Sequence, residues 1–267
     1  MVKNKIFPEG RLIEIIKKLK RDSTVNVEDL SRFFSVTGAT IRSDLRELEK
    51  RKLITKTHGG AILKNVIEEN LRTDRDPSYN NRIMQNIDLK EEIGTVVASM
   101  IKAGDSILLD DGSTTLQVAK KLPLDKNITV VTNGLNICLE LLRKPNVKVI
   151  AIGGMLNKID LSYYGRVAEE TTRKFNANKA ILGASGITIN NGVTTPDEMK
   201  AELKKVMISN SSELIIVADH TKLSRVSLVP VCDINKVDIL VVDSRTSKDL
   251  INKFKNYGVD IIVARRS

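Results

Sequence analysis

From residue 106 onward, short runs of apolar, largely β-branched residues alternate with stretches of helical periodicity, and this alternation constrains the fold more than any other feature. The runs lie at 106–109, 128–132, 147–152, 179–183, 213–218, 238–242 and 260–263. A strand with apolar side chains on both faces must be covered on both, and parallel pairing needs a crossover long enough to hold a helix. Helical stretches at 114–121, 135–143, 166–174, 198–209 and 248–256 supply the crossovers. Another, 88–102, precedes the first run, with Ile93, Val96, Val97, Met100 and Ile101 on one stripe. The pattern predicts an α/β domain built on a parallel, doubly covered sheet.

The N-terminal quarter reads differently. Residues 9–20 place Leu12, Ile13, Ile15, Ile16 and Leu19 at spacings that give a helix one broad apolar face, with Pro8 suited to its first turn. Asn26 is placed to cap a second helix over 27–34, where Leu30, Phe33 and Phe34 are expected to face inward. Thr37 offers a hydroxyl cap for a third helix through Lys50, whose stripe of Ile41, Leu45 and Leu48 leaves Thr40, Arg42, Ser43 and Arg46 on the other side. Two short strands around Gly59 and Gly60 follow as a wing. This is a winged helix-turn-helix arrangement over residues 1–63. Residues 64–81 are polar, include Pro77 and hold no period, so they read as an interdomain linker, leaving 82–267 for the α/β domain.

The chain carries a net charge of +10, and residues 1–66 hold 15 Lys and Arg against 8 Asp and Glu, so +7 of it is concentrated there. Such asymmetry suits a polyanionic partner, although it also describes a solubilising surface, and any amphipathic helix has a solvated side. A third helix lying in the major groove would put Arg where it bonds guanine in bidentate fashion, and hydroxyls where they reach several base edges. Arg42 and Arg46, four residues apart, point the same way, with Thr37, Ala39, Thr40 and Ser43 nearest the end that approaches the bases. Lys50, Arg51, Lys52 and Lys56 are placed for phosphates, which add affinity and salt dependence without reading sequence. His58 either touches DNA from the wing or closes the turn beside Gly59. Asp44 and Glu47 would be repelled by phosphate unless turned away or paired with neighbouring Arg, and pairing is expected.

In open α/β sheets ligands bind beyond the carboxyl ends of the strands, where helix N-termini attract anions. Asp110-Asp111-Gly112-Ser113-Thr114-Thr115 follows the first apolar run and opens a helix, so backbone N–H groups and three hydroxyls converge there. It lacks the spaced glycines and the Gly-Lys pair of a nucleotide-binding P-loop. Thr132-Asn133-Gly134 and Gly153-Gly154 follow the next two runs. Each loop alone is ordinary turn chemistry, but together they suit a hydroxylated anion. No run approaches the roughly 18 apolar residues of a membrane span, and the first residues lack a signal-peptide core, so a cytoplasmic protein with no membrane partner is expected. Cys138 and Cys232, far apart in apolar segments, read as reduced core thiols.

Phe33-Phe34-Ser35-Val36-Thr37-Gly38-Ala39-Thr40-Ile41-Arg42-Ser43-Asp44-Leu45-Arg46-Glu47-Leu48-Glu49, and then His58-Gly59-Gly60-Ala61, resembles the signature of the DeoR family of bacterial transcriptional regulators. That signature is roughly F-x-V-S-x-x-T-I-R-R-D-L-x-x-L-E, then H-G-G-A. The loops above, in order, with Gly183, Gly186, Gly192-Val193-Thr194-Thr195 and Ala218-Asp219-His220-Thr221-Lys222, resemble the family's sugar-phosphate sensor domain, so the likeness runs from about residue 6 to 264. The resemblance implies a sensor fold similar to ribose-5-phosphate isomerase and the CoA transferases, with a bound phosphosugar as effector. It implies that Ser113, Thr114 and Thr115 hold phosphate while Asp110, Asn133 and Lys222 meet sugar hydroxyls or carbonyl. Ser43 stands where a second Arg is usual, which removes a DNA contact, and Asp111 replaces a small residue, which adds negative charge near the phosphate.

The expectation is a repressor of sugar uptake or catabolism genes that binds double-stranded operator DNA as a homo-oligomer, dimer or tetramer, under control of a phosphorylated sugar. It needs neither cofactor nor metal and is not an enzyme. Two rivals predict other behaviour. A sugar-phosphate isomerase or transferase would need a tuned base, for which Asp110, Asp197, Glu198 and Asp219 are candidates, although no spacing sets one opposite a ligand. An architectural DNA-binding protein would show no ligand effect.

Overall fold

The computed structural model describes residues 8–22, 24–51, 53–57, 59–63 and 79–265, which fall in two compact units, Met1–Pro77 and Ser78–Ser267. In the first unit, α1 (Pro8–Asp22), α2 (Val27–Phe34) and α3 (Gly38–Lys50) close around Leu12, Ile15, Leu19, Leu30, Ile41, Leu45 and Leu48. The caps follow side-chain chemistry: Asn26 accepts from the Glu28 N–H and Thr37 from the Thr40 N–H, while Ser35, at φ 53°, ends α2 in a left-handed turn. The wing has three strands rather than the expected two. β1 (Thr24–Asn26) joins β2 (Ile54–Thr57) and β3 (Gly60–Leu63) in the antiparallel order β1-β3-β2. Three residues with one apolar side chain, Val25, are too few to show alternation. The third strand also explains Gly60, where an added Cβ would lie 1.9 Å from the Val25 carbonyl oxygen.

Two side chains expected in this core lie outside it. Ile13 is 55% and Phe33 58% exposed, because the buried stripe of each short helix is narrower than its apolar pattern. Phe33 instead meets Phe34 edge-on, with the Lys18 ammonium 4.0 Å from its ring centre. Asp44 pairs with Arg11 of α1 rather than with a neighbouring Arg of its own helix, at 2.5 and 3.0 Å through both carboxylate oxygens. Lys52, His58 and residues 64–78 of the expected linker lie outside the described residues, and residues 79–81 open a helix.

The second unit is built on seven parallel strands in the order β15-β14-β12-β9-β4-β5-β6. These are β4 (Ser106–Leu109), β5 (Ile128–Thr132), β6 (Val147–Ala151), β9 (Ala177–Gly183), β12 (Ser211–Ala218), β14 (Ile239–Val242) and β15 (Asp260–Val263), which match the seven apolar runs. Successive residues of β4 point to opposite cores: Leu108 lies in one, Ile107 and Leu109 in the other. α5 (Ile87–Ser99), α6 (Ser113–Lys121) and α7 (Leu135–Leu141) cover one face. α8 (Arg166–Thr172), α9 (Glu198–Ser209) and α10 (Lys248–Asn256) cover the other. The order runs outward in two directions from β4 and β9, so a topological switch lies between them, and a crevice is expected beyond their carboxyl ends.

Three elements here escape periodicity. α4 (Tyr79–Met84) begins inside the expected linker. A hairpin, β7 (Met155–Asn157) with β8 (Ser162–Tyr164), and a small sheet of β10 (Gly186–Thr188), β11 (Gly192–Thr195) and β13 (Val229–Cys232) are made of strands of three or four residues, short of one clear repeat. Among the described residues no helix is long and apolar enough to cross a membrane.

The Arg11–Asp44 pair is largely buried, so removing Asp44 takes a carboxylate bonded through both oxygens away from the guanidinium between α1 and α3. Asp44→Ala is expected to destabilise the N-terminal unit by about 3 kcal/mol, measured as an earlier helix-loss transition in urea followed by circular dichroism. Unfolding that matches the wild type would contradict the assignment.

Candidate functional site

The exposed face of α3 carries Ala39, Arg42, Ser43, Arg46 and Lys50, with Thr40 half-buried beside them. The Thr37 and Thr40 hydroxyls lie 3.0 Å apart and Thr37 caps the helix, so the Thr37 hydroxyl is held at the helix entry. Arg46 Nε donates to the Arg42 carbonyl at 3.3 Å, which keeps the two arginines along one side. Arg42, Arg46 and Lys56 line a groove between α3 and the wing. Arg51 and Lys56 have a second task, because Arg51 pairs with Glu47 at 3.0 Å and Lys56 with Glu49 at 3.1 Å. The Lys56 side-chain and backbone hydrogen bonds hold the Glu49 carboxyl below its ordinary value. The acids of α3 are thus neutralised locally, and Arg42, Arg46 and Lys50, which pair with no acid among the described residues, give the outer face a positive field.

In the second unit the loop after β4 lies at the switch between β4 and β9. Asp110 is buried and fully engaged: its carboxylate accepts from the Gly112 N–H at 3.1 Å, from the Gly183 N–H at 2.8 Å and from the Lys204 ammonium. It therefore ties the end of β4 to the end of β9 and to α9. Thr115 is similarly engaged, its hydroxyl facing the Asp110 and Gly112 carbonyls, each at 2.8 Å. Thr132 accepts from the Gly134 N–H at 3.1 Å. These hydroxyls shape the loops.

Spare capacity lies elsewhere. The Ser113 and Thr114 hydroxyls, in the first turn of α6, make no hydrogen bond among the described residues, and the Gly112 N-cap supplies no side chain to the helix end. Asn133 is buried; its Nδ2 donates to the Tyr163 carbonyl at 3.1 Å, but its Oδ1 has no partner among the described residues. Gly153 and Gly154 are exposed on the way to the β7–β8 hairpin. Gly154 has φ +146°, and a Cβ there would lie 2.7 Å from the Tyr164 carbonyl oxygen, so it permits the hairpin to fold back.

Asp111 marks a charged cluster that sequence periodicity does not reveal. Burial would raise its carboxyl, but Lys200, Lys204, the Tyr164 hydroxyl that donates to it, and Arg82 outweigh burial and hold it low. Burial and the adjacent Asp111 charge push the Tyr164 phenol well above its ordinary range. Lys200 binds Asp160 at 2.7 Å, and Arg82 donates to the same carboxylate. The charge of Asp111 is thus compensated by the fold. Lys200 and Lys204 stand four apart on α9, a spacing legible in the sequence; their burial was not.

A second group borders the first. Lys90, 2% exposed, donates to the Arg82 carbonyl and lies 3.9 Å from Asp219. Burial lowers its ammonium to about 8, with Asp219 opposing and Lys222 and Arg82 adding to the fall. Lys222 follows Asp219 in a short turn after β12. Asp219, His220 and Asp243 bring ligand atoms within 4.8 Å of one another, an arrangement that fits a cation. Those atoms already serve the fold, however: His220 Nδ1 and N–H contact Asp243, and Asp219 accepts from the Thr221 N–H and faces Lys90. Across both groups Arg82, Lys90, Lys200, Lys204 and Lys222 stand against Asp110, Asp111, Asp160, Asp219 and Asp243, so the formal charges balance and the N–H groups of the α6 N-terminus are left as the donors for an anion. That balance suits a small anion better than a polyanion.

A model of the DeoR C terminal sensor domain matches residues 85–244, and one of the DeoR-like helix-turn-helix domain matches residues 11–66. The HTH-type transcriptional regulator GolR of Listeria innocua is 32% identical over 97% of this chain and all of its own length. The transcriptional repressor AccR of Agrobacterium fabrum is 36% identical over 89% of this chain and 90% of its own. The glycerol-3-phosphate regulon repressor of Escherichia coli is 32% identical over 86% and 88%. Among solved structures, ribose 5-phosphate isomerase A from Methanocaldococcus jannaschii overlaps 52% of this chain and 55% of its own at a TM-score of 0.39 and 14% identity.

Lys90 yields a pH prediction. Its folded-state value is below the ordinary 10.5, so the unfolded chain binds the extra proton between about pH 8 and 10.5 and stability rises with pH across that window. The gain is about 3 kcal/mol at most. Lys90→Met is expected to lack this part of the rise in the unfolding free energy of the second unit, and identical pH profiles would contradict a buried ammonium.

Proposed function

The chain belongs to the DeoR family of transcriptional regulators, and on that premise we propose that it is a repressor of sugar uptake or catabolism genes whose hold on DNA is set by a phosphorylated sugar. The observation that carries the effector half is the pair of unbonded hydroxyls, Ser113 and Thr114, at an α6 N-terminus without a side-chain cap, with Lys200, Lys204 and Arg82 gathered around the neighbouring Asp111. A phosphate accepts hydrogen bonds from the first-turn N–H groups and both hydroxyls. The unpartnered Asn133 Oδ1 requires a donor, which a sugar hydroxyl supplies. Names among the relatives point the same way, since one is a glycerol-3-phosphate regulon repressor and another a putative aga operon transcriptional repressor.

On the DNA side, Arg42 and Arg46 reach base edges in the major groove, Lys50 and the wing cations meet phosphates, and Ser43 reads with a short hydroxyl. Paired half-sites need paired helices, so the protein works as a homo-oligomer, a dimer or tetramer, in the cytoplasm. The effector alters DNA binding only in so far as it binds one arrangement of the protein more tightly than another. Regulation rather than turnover fits the carboxylates: Asp110, Asp111, Asp160 and Asp219 are each held by a cation or a donor, an arrangement that favours binding over proton transfer.

Two outcomes are expected. Arg42→Ala with Arg46→Ala lowers affinity for DNA upstream of the gene about 100-fold or more, on the basis of two lost base contacts, in fluorescence anisotropy at fixed salt, while circular dichroism is unchanged. At least one of a panel of sugar phosphates at millimolar concentration raises the melting midpoint of the wild type, and Ser113→Ala with Thr114→Ala weakens that response about tenfold. Wild-type DNA affinity in the arginine variant, or a panel without a single shift, would overturn the corresponding half of the reading.

A further inference from the structure

The β7–β8 hairpin stands apart from the main sheet, and two of its strand residues, Met155 and Leu156, together with Ile159 at its turn, expose apolar side chains. An isolated two-stranded hairpin gains little stability of its own. Its turn bends at Leu161, a non-glycine residue at φ 53°, beside Asp160. Yet Asp160 is buried, and its carboxylate takes Arg82 on one oxygen and Lys200, at 2.7 Å, on the other. The same two cations act on Asp111, next to the first turn of α6. The second strand is tied to the loop after β5, where the Leu135 N–H donates to the Leu161 carbonyl and the Tyr163 N–H to the Asn133 carbonyl, each at 2.9 Å, whereas the tip before Leu161 has few apolar contacts and is anchored through the Asp160 carboxylate shared between two cations.

We propose that Asp160 is a tethered stand-in for the effector's anionic group: it occupies Arg82 and Lys200 when the crevice is empty, and a phosphate arriving at the α6 N-terminus displaces it. The proposal rests on the reading of this crevice as a phosphosugar site and adds how occupancy is signalled. A phosphate dianion takes the shared cations and repels the Asp160 carboxylate, so the hairpin tip loosens as Arg82 turns inward. Arg82 belongs to α4, the first described element after the helix-turn-helix unit, and its carbonyl is held by Lys90. Redirecting its side chain therefore changes the anchoring of α4. The competition also sets a threshold, because the ligand must outbid an internal carboxylate at high effective concentration.

Inorganic phosphate is the probe, because the competition concerns only the anionic group. In the full-length wild type, saturating phosphate is expected to speed amide hydrogen exchange at residues 157–161 and alter it at 79–84, with 211–218 unchanged. Asp160→Asn is expected to bind phosphate about tenfold tighter by calorimetry and to show fast exchange at 157–161 without phosphate. A merely structural role for Asp160 predicts the opposite, weaker binding from a disordered crevice. Phosphate affinity in the variant equal to or below that of the wild type overturns the proposal while leaving the sensor reading intact. Should the variant not fold, the wild-type experiment decides alone: exchange at 157–161 that is unchanged or slowed by bound phosphate overturns it. Failure of both proteins to bind phosphate overturns the proposal and the sensor reading together.

Discussion

Asp110 is the point on which the second unit turns. Strand order reverses direction between β4 and β9, which stay paired as far as Leu109 and Ile181, so the loops beyond their carboxyl ends lead away in opposite directions around a gap. One buried carboxylate closes it by accepting from Gly112, Gly183 and Lys204 at once, which joins two strands and α9. Its burial is tolerable only because each oxygen is satisfied. The loop that carries Ser113 and Thr114 takes its shape from this tie, with Thr115 bracing it from within. A residue type that invites a catalytic reading here serves architecture, and the neighbouring hydroxyls are left free to meet a ligand.

Charge compensation is the common theme of both units. In the helix-turn-helix, Arg11 neutralises Asp44, Arg51 neutralises Glu47 and Lys56 neutralises Glu49, so acids on α3 do not oppose a DNA phosphate. Around the α6 N-terminus, buried cations and carboxylates balance, so each compensates the other's burial. Under the proposed reading of this site, near-neutrality assigns selectivity to the directional donors of the α6 N-terminus and to atoms such as Asn133 Oδ1, unbonded among the described residues, rather than to bulk positive potential.

The seven core strands and the helices between them were legible because burial on both faces demands continuous apolar runs, such as Ile107-Leu108-Leu109. The caps Asn26 and Thr37 were legible because they depend on one side chain and the N–H two or three residues on. β1, the β7–β8 hairpin and the β10-β11-β13 sheet were not, since strands of three or four residues carry no period and exist only through partners distant in the chain. Phe33 and Ile13 misled for a related reason: an apolar residue does not report whether a neighbour has already covered its side of the core.

The candidate crevice divides along the same line. Local sequence alone determined that a hydroxyl-rich turn follows β4 and opens a helix, and that α3 lays Arg42 and Arg46 along one face, because both depend on residues within about one helical turn. Only tertiary structure decided that Asp110 faces inward, that Asp111 is compensated, and that Arg82, Asp160 and Lys200 meet. Those contacts join residues tens of positions apart, and the electrostatics of a buried charge depend on which other charges the packing of strands and helices brings beside it.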